Sequence, residues 1–159
     1  MKLTSKIDLE VPARFVYDIL ADHDAWEREA LQRGVEIERP VDMPTSGVGA
    51  SWKLRFRFRG KSRKVLVRIE EMQPESRMAL SFEGQALAGE SEMDIIALSP
   101  RRTRLRTAVT VRPKTLAARL FLNTLRLAKR RVQGRLDRRL GQLGARIEDR
   151  FARSRTERV

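Results

Sequence analysis

The sequence predicts an α+β domain: one strand, two short helices, six further strands and a long C-terminal helix. Three observations predict it. Apolar and polar residues alternate in several short segments, most clearly at Trp52, Leu54, Phe56 and Phe58 against Lys53, Arg55, Arg57 and Arg59. The last third instead carries an apolar stripe at helical spacing: Phe121, Leu125, Ala128, Val132, Leu136, Leu140, Leu143, Ile147 and Phe151. Charge divides along the same line. Residues 112–159 hold 15 Lys and Arg against 4 Asp and Glu, a net of +11, within a chain whose total is +13. The terminal helix must therefore bury one face and show a cationic one to water or an anionic partner.

Residues 2–11 read as a strand, since Ile7, Leu9 and Val11 alternate with Asp8 and Glu10. Pro12 suits the first turn of a helix that carries Phe15, Val16, Ile19 and Leu20. Asp24 with Glu27 three residues later reads as a capping box, opening a second short helix through Trp26, Ala30 and Leu31 that Gly34 closes. Residues 35–42 form a strand that Pro40 assigns to an edge. Strands at 50–59 and 64–72 flank a Gly60-Lys61-Ser62 turn. Residues 77–83 follow, then a loop from Gly84 to Gly89, then a hairpin of 90–98 and 102–112. The helix from about Lys114 to Phe151 would be roughly 57 Å long if straight. A domain of this size is only about 40 Å across, so the helix must bend, break or overhang. Gly134, Gly141 and Gly144 are its expected weak points. The organisation expected is one domain over 1–151 and a disordered basic tail at 152–159.

Composition narrows the chemistry. The chain has 159 residues, enough for one domain with a real core. It contains no cysteine, which rules out disulfides, Cys-ligated zinc and thiol nucleophiles. No segment approaches the length of a membrane span, and the first residues lack a secretion core, so a cytoplasmic location is expected. His23, the only histidine, sits between carboxylates in Ala21-Asp22-His23-Asp24. Sequence neighbours rarely converge on one ion, so it reads as a residue of the linker between the short helices rather than a metal ligand. No Gly-x-Ser-x-Gly nucleophile elbow occurs. Acid–base work by a carboxylate or Tyr17 stays open.

The element order and certain residues resemble the START-like superfamily, also called SRPBCC, nearest to the bacterial polyketide cyclase/dehydrase family. The resemblance covers about residues 3–150. It rests on Pro12, Val16-Tyr17, Ile19-Leu20, Asp22 and Trp26 after the first strand, on Gly47-Val48-Gly49 before the long third strand, and on Leu136, Leu140, Leu143 and Glu148 near the end. Tyr17 stands where the family usually has Trp. The resemblance implies a helix-grip fold, in which a seven-stranded curved antiparallel sheet surrounds the C-terminal helix and leaves a cavity between them. Members bind lipids, sterols, polyketides, quinones or other hydrophobic molecules; some are enzymes, but no catalytic set of theirs matches here.

The expected function is thus binding of a small hydrophobic ligand, lipid-, polyketide- or quinone-like, with no metal or organic cofactor implied. The alternatives are a cyclase- or hydrolase-like enzyme, or binding of an anionic surface, membrane or RNA, through the basic helix. Expected lining residues are Trp52, Leu54, Phe56, Phe58, Leu80, Phe82, Leu105, Val109, Leu116, Leu120, Phe121 and Leu125. Solid packing of the same residues is the competing reading. A regular hairpin around Gly60-Lys61-Ser62 raises a question of parity. It would turn Leu66, Arg68 and Glu70 toward Trp52 and Leu54, and Val65, Val67 and Ile69 away. Either a bulge restores the valines to the inside, or Arg68 and Glu70 face the cavity as a polar pair. The basic face (Arg119, Arg126, Lys129, Arg130, Arg131, Arg135, Arg138, Arg139, Arg146 and Arg150) either binds phosphates or is simply solvated. Lys53, Arg55, Arg57 and Arg59 should point away from the helix. The distal stripe, Leu136 to Phe151, either overhangs and recruits a second copy or bends back and packs.

Overall fold

A computed structural model of the chain describes residues 1–158. Lys2–Leu9 forms β1, followed by α1 (Ala13–Leu20) and α2 (His23–Gln32). Six strands follow: β2 (Glu36–Glu38), β3 (Ser51–Phe58), β4 (Lys61–Gln73), β5 (Arg77–Gly84), β6 (Leu87–Ser99) and β7 (Arg102–Pro113). The chain ends in α3 (Leu116–Leu127) and α4 (Lys129–Glu157). All seven strands form one antiparallel sheet in the order β1-β7-β6-β5-β4-β3-β2. This is the expected helix-grip arrangement. β2 lies at an edge, as Pro40 implied, though only three residues pair.

The β3–β4 hairpin resolves the parity question by its turn. Phe58 pairs with Lys61, so the turn is Arg59-Gly60, one residue shorter than expected. Both residues have positive φ, 53° and 77°, the signature of a type I′ turn that matches strand twist. Trp52 then faces Val67 and Leu54 faces Val65, and the valines point inward without a bulge in this hairpin. A register shift does occur further along β4, between Ile69 and Glu71 on the β5 side. The 84–89 loop is also shorter than expected, leaving only Gln85 and Ala86 between β5 and β6.

The helix starts differ by two residues from the reading of the second cap. Asp22, not Asp24, caps α2, accepting the Ala25 N–H at 3.1 Å. Glu27 is therefore not part of a capping box. At the other end Gly34 (φ 85°) closes α2 and the Val35 N–H reaches the Ala30 carbonyl, as expected of an αL helix stop.

The terminal helix breaks at Ala128, not at a glycine. Gly144 serves a different purpose: a Cβ there would lie 2.9 Å from both Ile7 Cδ1 and Leu9 Cδ2, so the missing side chain lets α4 press onto β1. Gln133 Nε2 donates to the Thr4 carbonyl at 2.8 Å, and Ser5 Oγ donates to Asp137 at 2.6 Å, fixing the contact along its length. Leu140 and Ile147 are buried with Leu9, Val16, Ile95 and Leu105, and the Phe151 ring meets Phe15 edge-on at 5.1 Å. The distal stripe is thus consumed inside the chain and offers no apolar strip to a second copy. Residues 152–157, expected as a disordered tail, continue α4 as helix; Val159 lies outside the described residues.

Candidate functional site

A second, smaller core cluster lies at the other end of the sheet. Ala50, Trp52 and Ile69 are buried there, with Ile37, Leu54, Val67, Met72 and Leu80 packed around them. Between this floor and α2 lies a pocket of about 310 Å³, partly open to solvent. That volume is at the low end of the roughly 300–1,000 Å³ typical of small-molecule sites. Its floor is Ile37, Trp52, Leu54, Val67, Ile69, Leu80, Ser91 and Met93, with Met78 at one side. Its roof is Leu20 from α1 and His23, Trp26, Glu27 and Ala30 from α2. The roof residues recur at i, i+3, i+4 and i+7, one face of a helix.

The roof is held down by polar contacts. Trp26 Nε1 donates to the Leu20 carbonyl at 3.1 Å. Glu27 Oε1 accepts from Trp52 Nε1 and from Arg39 Nε, each at 2.5 Å. Arg39 also lies over the Trp52 ring, 4.7 Å from its centre. From outside, Arg146 of α4 grips the Glu29 carboxylate with two bonds of 3.0 Å, tying α2 to the terminal helix. Arg146 beside Glu29 holds that carboxyl below the usual carboxylate value.

His23 is the group with spare capacity. Its ring meets Trp52 edge-on at 5.4 Å, and its nitrogens have no hydrogen-bond partner among the described residues. Burial pushes the imidazole below its ordinary value, and the nearby Arg39 guanidinium adds to the effect, while Asp24, Asp22 and Glu27 pull the other way. His23 is therefore neutral at pH 7, with one nitrogen able to donate and the other to accept. Ser91 adds a hydroxyl to the floor. The site can hold an apolar body and meet one polar group. Among the described residues no cluster of three His, Cys, Asp or Glu side chains has metal-binding geometry.

Of the expected lining residues, Trp52, Leu54 and Leu80 line this pocket. Phe56, Phe82 and Val109 share the inner face but lie outside the lining. Phe82 fills the space over Gly89, where a Cβ would fall 2.6 Å from its ring. Leu105 is buried in the larger cluster shared with α1 and α4, and Phe58 is exposed at the hairpin end. Leu116 and Leu120 are exposed on α3, and Phe121 and Leu125 are half-buried. The space is therefore covered by α2, not by the C-terminal helix. Arg68 and Glu70 face outward: they lie 3.8 Å apart, exposed, and Ser81 Oγ donates to Glu70 at 2.7 Å. They are not a cavity pair, because the shorter turn fixed the register the other way. Arg59 also departs from expectation, reaching α3 with its guanidinium 4.5 Å from the Phe121 ring centre. Arg63, opposite Phe56 on the inner face, has its Nε buried without a partner among the described residues. Sequence reasoning passed over His23, Trp26, Glu27 and Ala30, although their helical spacing was present as a signal.

The sequence model of the family described as "polyketide cyclase / dehydrase and lipid transport" matches residues 1–148. The chain belongs to that family. Among solved structures, the aromatase/cyclase Zhui from Streptomyces sp. R1128 is similar with a TM-score of 0.64 at 16% identity, covering 95% of each chain. A START superfamily protein from Mycobacterium smegmatis gives a TM-score of 0.50 at 17% identity, over 84% of this chain and 95% of that one. Norcoclaurine synthase from Thalictrum flavum, in complex with dopamine and hydroxybenzaldehyde, gives 0.58 at 11% identity, over 79% and 76%. At these identities the likeness is one of fold, and the fold is START-like. No curated protein matches the sequence. Membership of the polyketide cyclase and lipid transport family fits the binding of hydrophobic ligands or polyketide cyclase activity. Among the described residues no helix is long and apolar enough to cross a membrane.

Proposed function

We propose that the protein binds a small hydrophobic molecule in the pocket under α2, with its apolar body on Trp52, Ile69, Leu80 and Met93 and one polar group toward His23 and Ser91. The observation that supports this most is the composition of the lining: a nearly continuous apolar surface interrupted by a neutral, unpartnered imidazole. A ligand burying about 200 Å² of apolar surface would gain about 5 kcal/mol from that transfer. Loss of free motion on binding offsets much of this gain, so the polar contact matters for both affinity and orientation.

A second reading is favoured by the same imidazole. A neutral histidine in an apolar pocket is a suitable general base, and Glu27 beside it is held by Arg39. A cyclase-like enzyme would use His23 to move a proton on a bound carbonyl compound.

Both tryptophans of the chain line the pocket, so intrinsic fluorescence reports on its contents. Titration with 2-naphthol should shift the emission saturably. Leu80→Trp, which fills the pocket, should weaken binding by at least tenfold while circular dichroism stays native. Undiminished binding in that variant would remove the proposal.

A further inference from the structure

α3 has apolar residues on two opposite sides. Ala118 and Leu122 are buried. Leu116, Leu120 and Leu127 are 73%, 60% and 91% exposed. At about 100° per residue, these three leucines fall within an arc of roughly 40°, facing away from the buried pair. A helix apolar on both sides normally has a cover on both sides. Here one side has none among the described residues.

The surroundings are strongly cationic. From Ile95 to Leu136 the sequence has no Asp or Glu, and from Ser51 to Ile69 it has none either. These two runs meet in space, because Arg59 at the β3–β4 turn lies over Phe121 of α3 and beside Phe58, which is 49% exposed. Arg119 and Arg126 sit two turns apart beside the leucine arc and are exposed, and Lys129, Arg130 and Arg131 follow directly. Neither patch feature is part of the pocket under α2, which includes no α3 residue.

Three occupants can be compared on this basis. A second copy of the chain would bring +13 against +13, so like charge opposes it. RNA would suit the arginines and Phe58, but it would leave the three exposed leucines without an apolar cover. An anionic lipid surface satisfies both parts. Leucines enter the acyl boundary, and arginines and lysines remain at the headgroups. We propose that α3, with the tip of the β3–β4 hairpin beside it, docks the protein on anionic membranes, lying in the interface.

The test uses the full chain and sedimentation with vesicles of phosphatidylcholine alone or with 30% phosphatidylglycerol. The protein should pellet with the anionic vesicles at low salt, weaken steeply as salt rises, and stay in solution with neutral vesicles. Leu116→Ser, Leu120→Ser and Leu127→Ser together should reduce partitioning at least tenfold. Because all three side chains are exposed, circular dichroism and 2-naphthol binding should be unchanged. Arg119→Gln with Arg126→Gln should weaken partitioning and flatten its salt dependence. Several results would overturn the proposal: no pelleting with anionic vesicles, pelleting that the leucine changes leave intact, or leucine changes that only convert a dimer to a monomer in solution. Binding to single-stranded RNA that survives the leucine changes, with no vesicle binding, would also overturn it.

Discussion

The two ends of the sheet present similar apolar faces but receive different covers. At the β1–β7 end, α4 presses directly on Ile7 and Leu9 through Gly144, and α1 closes the remaining gap with Val16 and Leu20. That end is solid. At the β3–β5 end the cover is α2, whose inward residues are His23, Trp26, Glu27 and Ala30. None of α2's residues is fully buried. It is held by hydrogen bonds and ion pairs at its margins rather than by interdigitated side chains, and a space is left beneath it. One sheet thus supports a packed core and a binding site because the covering helices differ, not because the strands do.

The contrast predicts unequal responses to the same type of change. Ile147→Ala, at the packed end, should destabilise the fold by about 2–5 kcal/mol, whereas Leu80→Ala, facing a space already present, should lose only about 1 kcal/mol. Denaturant titration of both variants checks this, and equal losses would remove the distinction between the ends. Within α4 the comparison sharpens. Gly141→Ala meets open space and should gain about 1 kcal/mol from helix propensity. Gly144→Ala forces its methyl against Ile7 and Leu9 and should fall about 1–3 kcal/mol below Gly141→Ala in the same measurement.

Smaller effects are expected at the margin of α2. Glu29→Gln removes the partner of Arg146 and should lower stability by at most about 1 kcal/mol, since Arg146 is largely solvated. The sign with pH follows from the depressed Glu29 value. The pair's contribution is complete above the ordinary carboxylate range and disappears as pH falls through the folded-state value, so acid should narrow the gap between wild type and variant. For His23, an NMR titration should give a value below the ordinary 6.5 or so. Because the folded form resists protonation there, stability should fall as pH drops below the ordinary histidine value, and His23→Gln should reduce that loss. A value at or above the ordinary one would contradict the desolvated setting of the imidazole.

The strands were legible in the sequence because period 2 is a strong signal, and Trp52 to Phe58 carries it without interruption. The element order and the edge position of β2 followed from the same pattern and from Pro40. The turn was not legible. An arginine at positive φ has no composition marker, and shortening the turn by one residue transferred Arg68 and Glu70 from the inner face to the outer one. The helix break at Ala128 also lacks a marker, while the glycines that seemed to mark it are either open to solvent or used for close packing. The pocket under α2 was not legible for a related reason. The long terminal stripe is the stronger apolar signal, and it is spent on β1 and α1. The inward face of α2 reads as polar, because two of its four residues are His23 and Glu27, and only the tertiary position of Trp52 gives them a role.

The unequal covering of the sheet is tested most directly by methyl NMR on the full chain with 2-naphthol added. Resonances of Ile69, Leu80 and Met93 should move together and saturate, while those of Leu105, Leu140 and Ile147 stay in place. Shifts centred on the α4 side, or a titration that moves neither group, would contradict it.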